Sequence, residues 1–96
     1  MMIRITANFH GRVQGVGFRY TTIEIAKRFA VAGYVQNLPN GDVKAVAEGA
    51  KAEVIAFFDT VKERMSRNII NMDQTETAAT QEFGSPESPD TFTIRY

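Results

Sequence analysis

The sequence predicts an α+β sandwich, in which two helices lie on one face of an antiparallel sheet. Short segments with alternating apolar and polar residues indicate strands, and two longer segments carry apolar residues at helical spacing. Their order is strand, helix, strand, strand, helix, strand, which is the ferredoxin-like βαββαβ arrangement, followed by a short extra C-terminal strand. Because 96 residues with 44% hydrophobic content suit one core, we expect a single domain over residues 1–96.

Composition excludes several functional classes. Eleven basic and eleven acidic residues give a formal net charge of zero, which argues against the basic surface that sequence-independent nucleic-acid binding requires. Cysteine is absent and His10 is the only histidine, so thiol chemistry and zinc sites are excluded. Without a signal-peptide core or a membrane-length apolar run, we expect a cytoplasmic protein with no membrane partner. We also expect a monomer that needs neither metal nor cofactor.

The N-terminal half contains a strand, a helix and a hairpin. Residues 3–10 alternate, and His10 falls on the polar face, where a solvated histidine is more common than a catalytic one. We assign His10 no role. Apolar spacing predicts a helix from Phe18 to about Ala30, which Gly33 would end. Residues 34–38 and 42–48 predict two strands joined by Pro39-Asn40-Gly41.

The C-terminal half is less regular. Apolar residues at helical spacing predict a second helix from about Ala52 to Ser66. Residues 68–83 are polar and rich in threonine, and we predict a strand there. Glycine, serine and proline indicate a loop over residues 84–89, and renewed alternation predicts a final strand from Phe92 to Tyr96.

The loop between the first strand and the first helix is the best candidate for chemistry. Its sequence is Gly11-Arg12-Val13-Gln14-Gly15-Val16-Gly17-Phe18-Arg19. The three glycines permit backbone angles that bring neighbouring amides together, and the helix that follows directs its unpaired N–H groups toward the same point. Arg19 adds a planar fork of donors suited to a phosphoryl group. The loop therefore predicts a phosphate-binding site.

A structural turn is the alternative, and on glycine spacing alone it is the default. The loop matches neither the dinucleotide-binding pattern nor the Walker loop. A positive charge such as Arg19 in the first turn of a helix interacts unfavourably with the helix dipole. A functional role would explain its presence there, and so would a surface ion pair.

A second segment makes the assignment specific. Residues 33–41 are Gly-Tyr-Val-Gln-Asn-Leu-Pro-Asn-Gly, and together with the loop they resemble the acylphosphatase family. Residues 46–49 and 92–96 extend the resemblance over nearly the whole chain. Two spaced motifs in the expected order are far more specific than either motif alone.

The resemblance implies hydrolysis of the carboxyl-phosphate bond of acyl phosphates. It implies that Arg19 binds the phosphoryl group and that Asn37 positions the attacking water. Because inorganic phosphate and sulfate present the same tetrahedral anion as the transferred group, we expect them to compete with the substrate. The implied phosphate-binding residues are Gln14, Gly15, Val16, Gly17, Phe18 and Arg19. Whether Gln14 touches the substrate or only shapes the loop stays open, and Asn37 could instead be a hairpin asparagine that bonds nearby backbone.

Three departures from the family pattern leave the implied site unchanged. Tyr34 stands where tryptophan is usual, His10 stands where a small residue is common, and residues 68–83 are unusually polar. Two rival functions share the fold. One is an RNA-recognition module, which neutral charge disfavours, and the other is a regulatory domain that binds a small anion in the same loop.

Overall fold

A computed structural model describes residues 1–96. Its elements are β1 (Met2–Gly11), α1 (Phe18–Ala26), β2 (Ala32–Asn37), β3 (Val43–Ala50), α2 (Lys51–Arg64), β4 (Ile69–Ala78) and β5 (Phe92–Arg95). The five strands form one sheet in the order β4-β1-β3-β2-β5. The predicted ferredoxin-like sandwich with an extra C-terminal strand is confirmed.

The sheet is mixed because of its last strand. β1 pairs antiparallel with β3 and β4, and β2 pairs antiparallel with β3. β5 lies parallel to β2, with Gly33 opposite Phe92 and Gln36 opposite Arg95. Because these two strands are parallel, their carboxyl ends lie at the same end of the sheet, and the candidate site is at that end.

Aromatic side chains join the helices to the sheet. The alternating apolar residues of β1 are buried, as the period-two pattern predicts. The Phe9 ring on β1 lies 5.0 Å from that of Phe18 at the start of α1. On α2, the Phe57 ring lies 5.1 Å from that of Phe92 on β5. Phe9, Phe18 and Phe57 are fully buried, and each such side chain contributes about 1.5–3 kcal/mol of transfer free energy. The Phe18 contact thus packs the first residue of α1 against the sheet.

The predicted end of the first helix is wrong. α1 stops at Ala26, and the N–H groups of Arg28 and Phe29 bond three residues back, which tightens the chain into a turn. Gly33 does not end the helix but lies inside β2 with φ +154°. A Cβ there would stand 1.8 Å from the Val46 carbonyl oxygen, so close strand approach explains this glycine.

The polar stretch after α2 has two parts. Residues 69–78 form edge strand β4, as predicted, whereas residues 80–83 lie over the sheet face opposite the helices. The buried Glu48 carboxylate anchors them by accepting hydrogen bonds from the N–H groups of Thr80 and Gln81, both at 2.8 Å, and from Arg4 Nε at 2.7 Å. Phe83 then packs edge-on against Tyr34 at 5.7 Å.

Candidate active site

The loop of residues 12–17 connects β1 to α1 and opens to solvent at its glycines. Gly15 and Gly17 have φ of +75° and +77°, and Gly17 is the N-cap of α1. A Cβ added at either position would meet nothing within 4 Å, so space remains beside the loop for a ligand. Gly11 differs, because a Cβ there would lie 2.4 Å from the Asn68 carbonyl oxygen. Gly11 therefore serves the packing of β1 against β4.

Backbone donors in this loop are unpaired. The N–H groups from Gln14 to Tyr20 donate no hydrogen bond within the protein, and the first amide to do so is that of Thr21, to the Gly17 oxygen at 3.0 Å. Unpaired amides at a helix N-terminus carry partial positive charge and bind anions. The local backbone thus supplies the donors that the sequence predicts.

Arg19 adds a full charge to these amides. Its side chain is half-buried and has no acidic partner. The surface ion pair that could have explained an arginine in this helical turn is therefore absent. The guanidinium carbon lies over the ring of Tyr96, the residue directly after β5, at 5.3 Å from the ring centre. A contact with the ring face uses the charge of the guanidinium and leaves its N–H groups available to a ligand.

Gln14 ties the loop to the β2–β3 hairpin. Its Nε2 donates to the carbonyl oxygens of Leu38 at 2.7 Å and Asp42 at 2.8 Å. Because these bonds use both hydrogens of the carboxamide, the Gln14 side chain shapes the loop, and its backbone N–H remains free for an anion.

Asn37 is the last residue of β2, and its side chain is half-buried. The side-chain hydrogen bonds around it join Gln14 to Leu38 and Asp42 and Asn40 to Asp42, and none involves the Asn37 carboxamide. The hairpin turn instead uses Asn40, whose Oδ1 accepts the Asp42 N–H at 3.0 Å. The backbone-bonding role that was the alternative for Asn37 thus belongs to Asn40. The Asn37 side chain is free to hold a small molecule.

The fold brings the predicted site residues to one end of the sheet. Gln14 reaches the carbonyl of Leu38, the residue directly after Asn37. Arg19 reaches Tyr96, and Tyr96 follows Arg95, which pairs with Gln36 beside Asn37. The Phe18 ring is buried, so only its backbone could contact a ligand at the loop, whereas Val16 is exposed.

A polar cluster next to the loop was not predicted. Asp42 is buried, and its carboxylate is bonded by Asn8, by His10 Nδ1 at 2.8 Å and by Asn40 Nδ2 at 3.2 Å. The bonds from His10 and Asn8 hold the pKa of Asp42 below its ordinary value. The sequence contained one signal for this cluster. Asn8 and His10 are two residues apart in β1, so their side chains lie on the same face of the sheet.

No other class of site stands out. The structure contains no group of three or more His, Asp or Glu side chains that could hold a metal ion. None of its helices combines the length and apolar character needed to span a bilayer. An open groove of about 630 Å³ lies between the end of α1 and residues 86–92, away from the loop.

Fold and site together define a class, a small α+β sandwich protein with a loop of unpaired amides before its first helix. The family model for acylphosphatase matches residues 5–94. An acylphosphatase from Syntrophus aciditrophicus is 45% identical over 84 residues, which cover 86% of this chain and 88% of that protein. The chain belongs to the acylphosphatase family.

Solved structures agree with this assignment. The crystal structure of acylphosphatase from Bacillus subtilis superposes with a TM-score of 0.81 at 29% identity, covering 98% of this chain and 99% of that one. An acylphosphatase structure from Coxiella burnetii gives a TM-score of 0.73 at 25% identity, covering 98% and 93%. The likeness in fold thus extends over nearly the whole chain.

Proposed function

We propose that this protein hydrolyses acyl phosphates to a carboxylate and inorganic phosphate. The observation that carries the proposal is the run of unpaired amides from Gln14 to Tyr20 beside Arg19, a cation without an acidic partner. Family membership supports the same activity. The substrate is a small molecule, and we expect inorganic phosphate or sulfate to compete with it.

The proposed reaction is a direct attack of water on phosphorus. The water oxygen forms a bond to phosphorus, the bond from phosphorus to the carboxyl oxygen breaks, and the water proton is released to solvent. Arg19 and the amides from Gln14 to Arg19 hold the phosphoryl oxygens. Asn37 orients the attacking water. Because a carboxylate leaves readily and the phosphoryl transition state is loose, the site needs no general acid.

The two rival functions differ in what the structure offers them. An RNA-recognition module stacks bases on exposed aromatic rings of the sheet. Here Tyr34 is buried beneath Phe83 and the Arg95 guanidinium, which lies 3.8 Å from its ring centre. A regulatory domain that binds an anion would use the same loop, so turnover is the property that separates it from an enzyme.

The test is release of inorganic phosphate from acetyl phosphate by the purified protein, measured with and without EDTA. We expect multiple turnovers that EDTA leaves unchanged, because the anion's charge is met by Arg19 and amides rather than by a cation. Activity lost in EDTA and restored by a divalent ion would contradict the mechanism. Phosphate binding without turnover would instead favour the regulatory domain.

A further inference from the structure

We propose that His10 and Asp42 are positioning residues that hold the phosphate loop in register with Asn37. We call His10, Asp42, Asn8 and Gln14 the Asp42 clamp. The inference rests on the proposed function, because it concerns how the same site is assembled. It assigns a role to a histidine that the pattern of β1 alone leaves as a solvated strand residue.

The clamp begins at the Asp42 carboxylate, directly after the hairpin turn. Its Oδ1 is bonded to His10 Nδ1 at 2.8 Å, and its Oδ2 accepts a hydrogen bond from Asn8 Nδ2. Both partners project from β1, the strand that leads into the phosphate loop. The carboxylate therefore fixes the hairpin against the strand on which the loop begins. The Asp42 side chain itself is only 9% exposed, so few water molecules reach its carboxylate.

The backbone of Asp42 carries the connection to the site. Its carbonyl oxygen accepts two hydrogen bonds, from the Leu38 N–H at 2.8 Å and from Gln14 Nε2 at 2.8 Å. Leu38 follows Asn37, and Gln14 precedes the left-handed Gly15. The Asp42 carbonyl is thus bonded to both parts of the site. Gln14 belongs to the phosphate loop, and Leu38 follows Asn37 at the end of β2.

The geometry also indicates why His10 matters although it touches neither part of the site directly. Its side chain is 63% exposed, so its removal would cost little core packing. Its single hydrogen bond nevertheless holds Asp42 Oδ1, whereas Asn8 holds only Oδ2. Loss of that bond leaves Asp42 held to β1 by Asn8 alone among side chains, which loosens the placement of the Asp42 carbonyl that Gln14 contacts. Catalytic geometry is sensitive to displacements of about 1 Å.

The test compares His10→Ala with His10→Asn, since an asparagine amide nitrogen occupies nearly the place of His Nδ1 and restores the donor. We expect His10→Ala to lower kcat for acetyl phosphate and weaken the binding of inorganic phosphate, each by about tenfold. His10→Asn should recover most of both losses. The melting temperature should stay close to the parent value in both variants, which separates positioning from stability. Asp59→Asn, in a surface pair with Lys62 on α2, is the matched control and should change nothing.

A double-mutant cycle tests whether His10 acts through Asp42. Asp42→Ala should cost at least as much as His10→Ala, and adding His10→Ala to it should cost nothing more. If Asp42→Ala fails to fold, the His10→Ala and His10→Asn pair decides. A folded His10→Ala variant with parental kcat and phosphate affinity would overturn the clamp. If the parent protein binds phosphate but releases none from acetyl phosphate, the proposed function fails, while weaker phosphate binding in His10→Ala still supports the clamp.

Discussion

At the scale of single residues, Arg19 and Asn37 share one structural property, a polar side chain without a protein partner. Arg19 takes part in none of the ion pairs of the protein, and the Asn37 carboxamide takes part in none of the side-chain hydrogen bonds around it. Both side chains are only half-buried, so solvent or a ligand can reach them. Their unused donors and acceptors are what the proposed chemistry requires.

Replacing Arg19 by glutamine should weaken phosphate binding and substrate binding together with turnover. The charge acts on the phosphoryl group in both the ground state and the transition state, so KM should rise while kcat falls. Arg19→Lys keeps the charge, so its phosphate affinity and turnover should lie between those of the parent and of Arg19→Gln. They should not reach the parent values, because a lysine cannot hold two oxygens in one plane. Steady-state kinetics and phosphate affinity measure the effect. An Arg19→Gln variant with parental kinetics would contradict the assignment.

Replacing Asn37 by alanine should separate turnover from binding. If Asn37 orients water, its loss should lower kcat by about a hundredfold and leave phosphate affinity near the parent value. Gln36→Ala is the control, since it lies next to Asn37 on β2 with its side chain on the other face. Full turnover in Asn37→Ala would remove the water-positioning role.

At the scale of elements, two features around the sheet were not predictable from the sequence pattern. Close packing of β2 against β3 explains Gly33, and hydrogen bonds to Glu48 explain the path of residues 80–83. The alternation of β1 and the hairpin chemistry of residues 39–41 were sufficient to predict three strands. The end of α1 was not predictable, because the apolar Phe29 continues the helical spacing although the backbone has already turned. The path of residues 80–83 depends on Glu48, which lies 32 residues from Thr80 in sequence, and local pattern carries no information on such a contact.

Gly33→Ala should destabilise the protein much more than Gly41→Ala. A Cβ at Gly33 would collide with the Val46 carbonyl oxygen, whereas at Gly41, also at positive φ, it would meet nothing within 4 Å. The difference in the free energy of unfolding should exceed about 1 kcal/mol. Urea unfolding of both variants measures it, and equal stabilities would show that β2 and β3 can separate at no cost.

Glu48→Gln should reduce stability at neutral pH and flatten its dependence on acid. Burial alone would raise the pKa of Glu48, but hydrogen bonds from the Thr80 N–H, Arg4 and the Gln81 N–H outweigh it and hold the pKa below its ordinary value. A carboxyl group whose pKa is lowered in the folded state stabilises the fold at pH values above its unfolded-state pKa. This contribution is lost as the pH falls through the pKa of the folded state.

We expect Glu48→Gln to cost about 1–3 kcal/mol at pH 7 and less in acid. Unfolding free energies between pH 7 and pH 2 measure this, with Glu76→Gln, an exposed partner of Lys51, as the control. A stability loss in Glu48→Gln that is the same at every pH would exclude the ionised Glu48 anchor.

At the scale of the whole molecule, the anion site and the fold are thermodynamically linked. A ligand that binds only the folded state stabilises it by mass action, so phosphate at a hundred times its dissociation constant should add about 2.7 kcal/mol. Arg19→Gln should lose most of this gain at the same phosphate concentration. Melting curves in phosphate, with chloride at matched ionic strength as the control, measure the linkage. Equal stabilisation of the parent and Arg19→Gln would place the bound phosphate away from this loop.

Location of the phosphate is the central claim, and amide chemical shifts during a phosphate titration test it most directly. The account predicts saturable shifts of the backbone amides from Gln14 to Tyr20 and of the Asn37 carboxamide, with one dissociation constant equal to the inhibition constant for acetyl phosphate hydrolysis. Shifts confined to another surface, such as the groove between the end of α1 and residues 86–92, would contradict it.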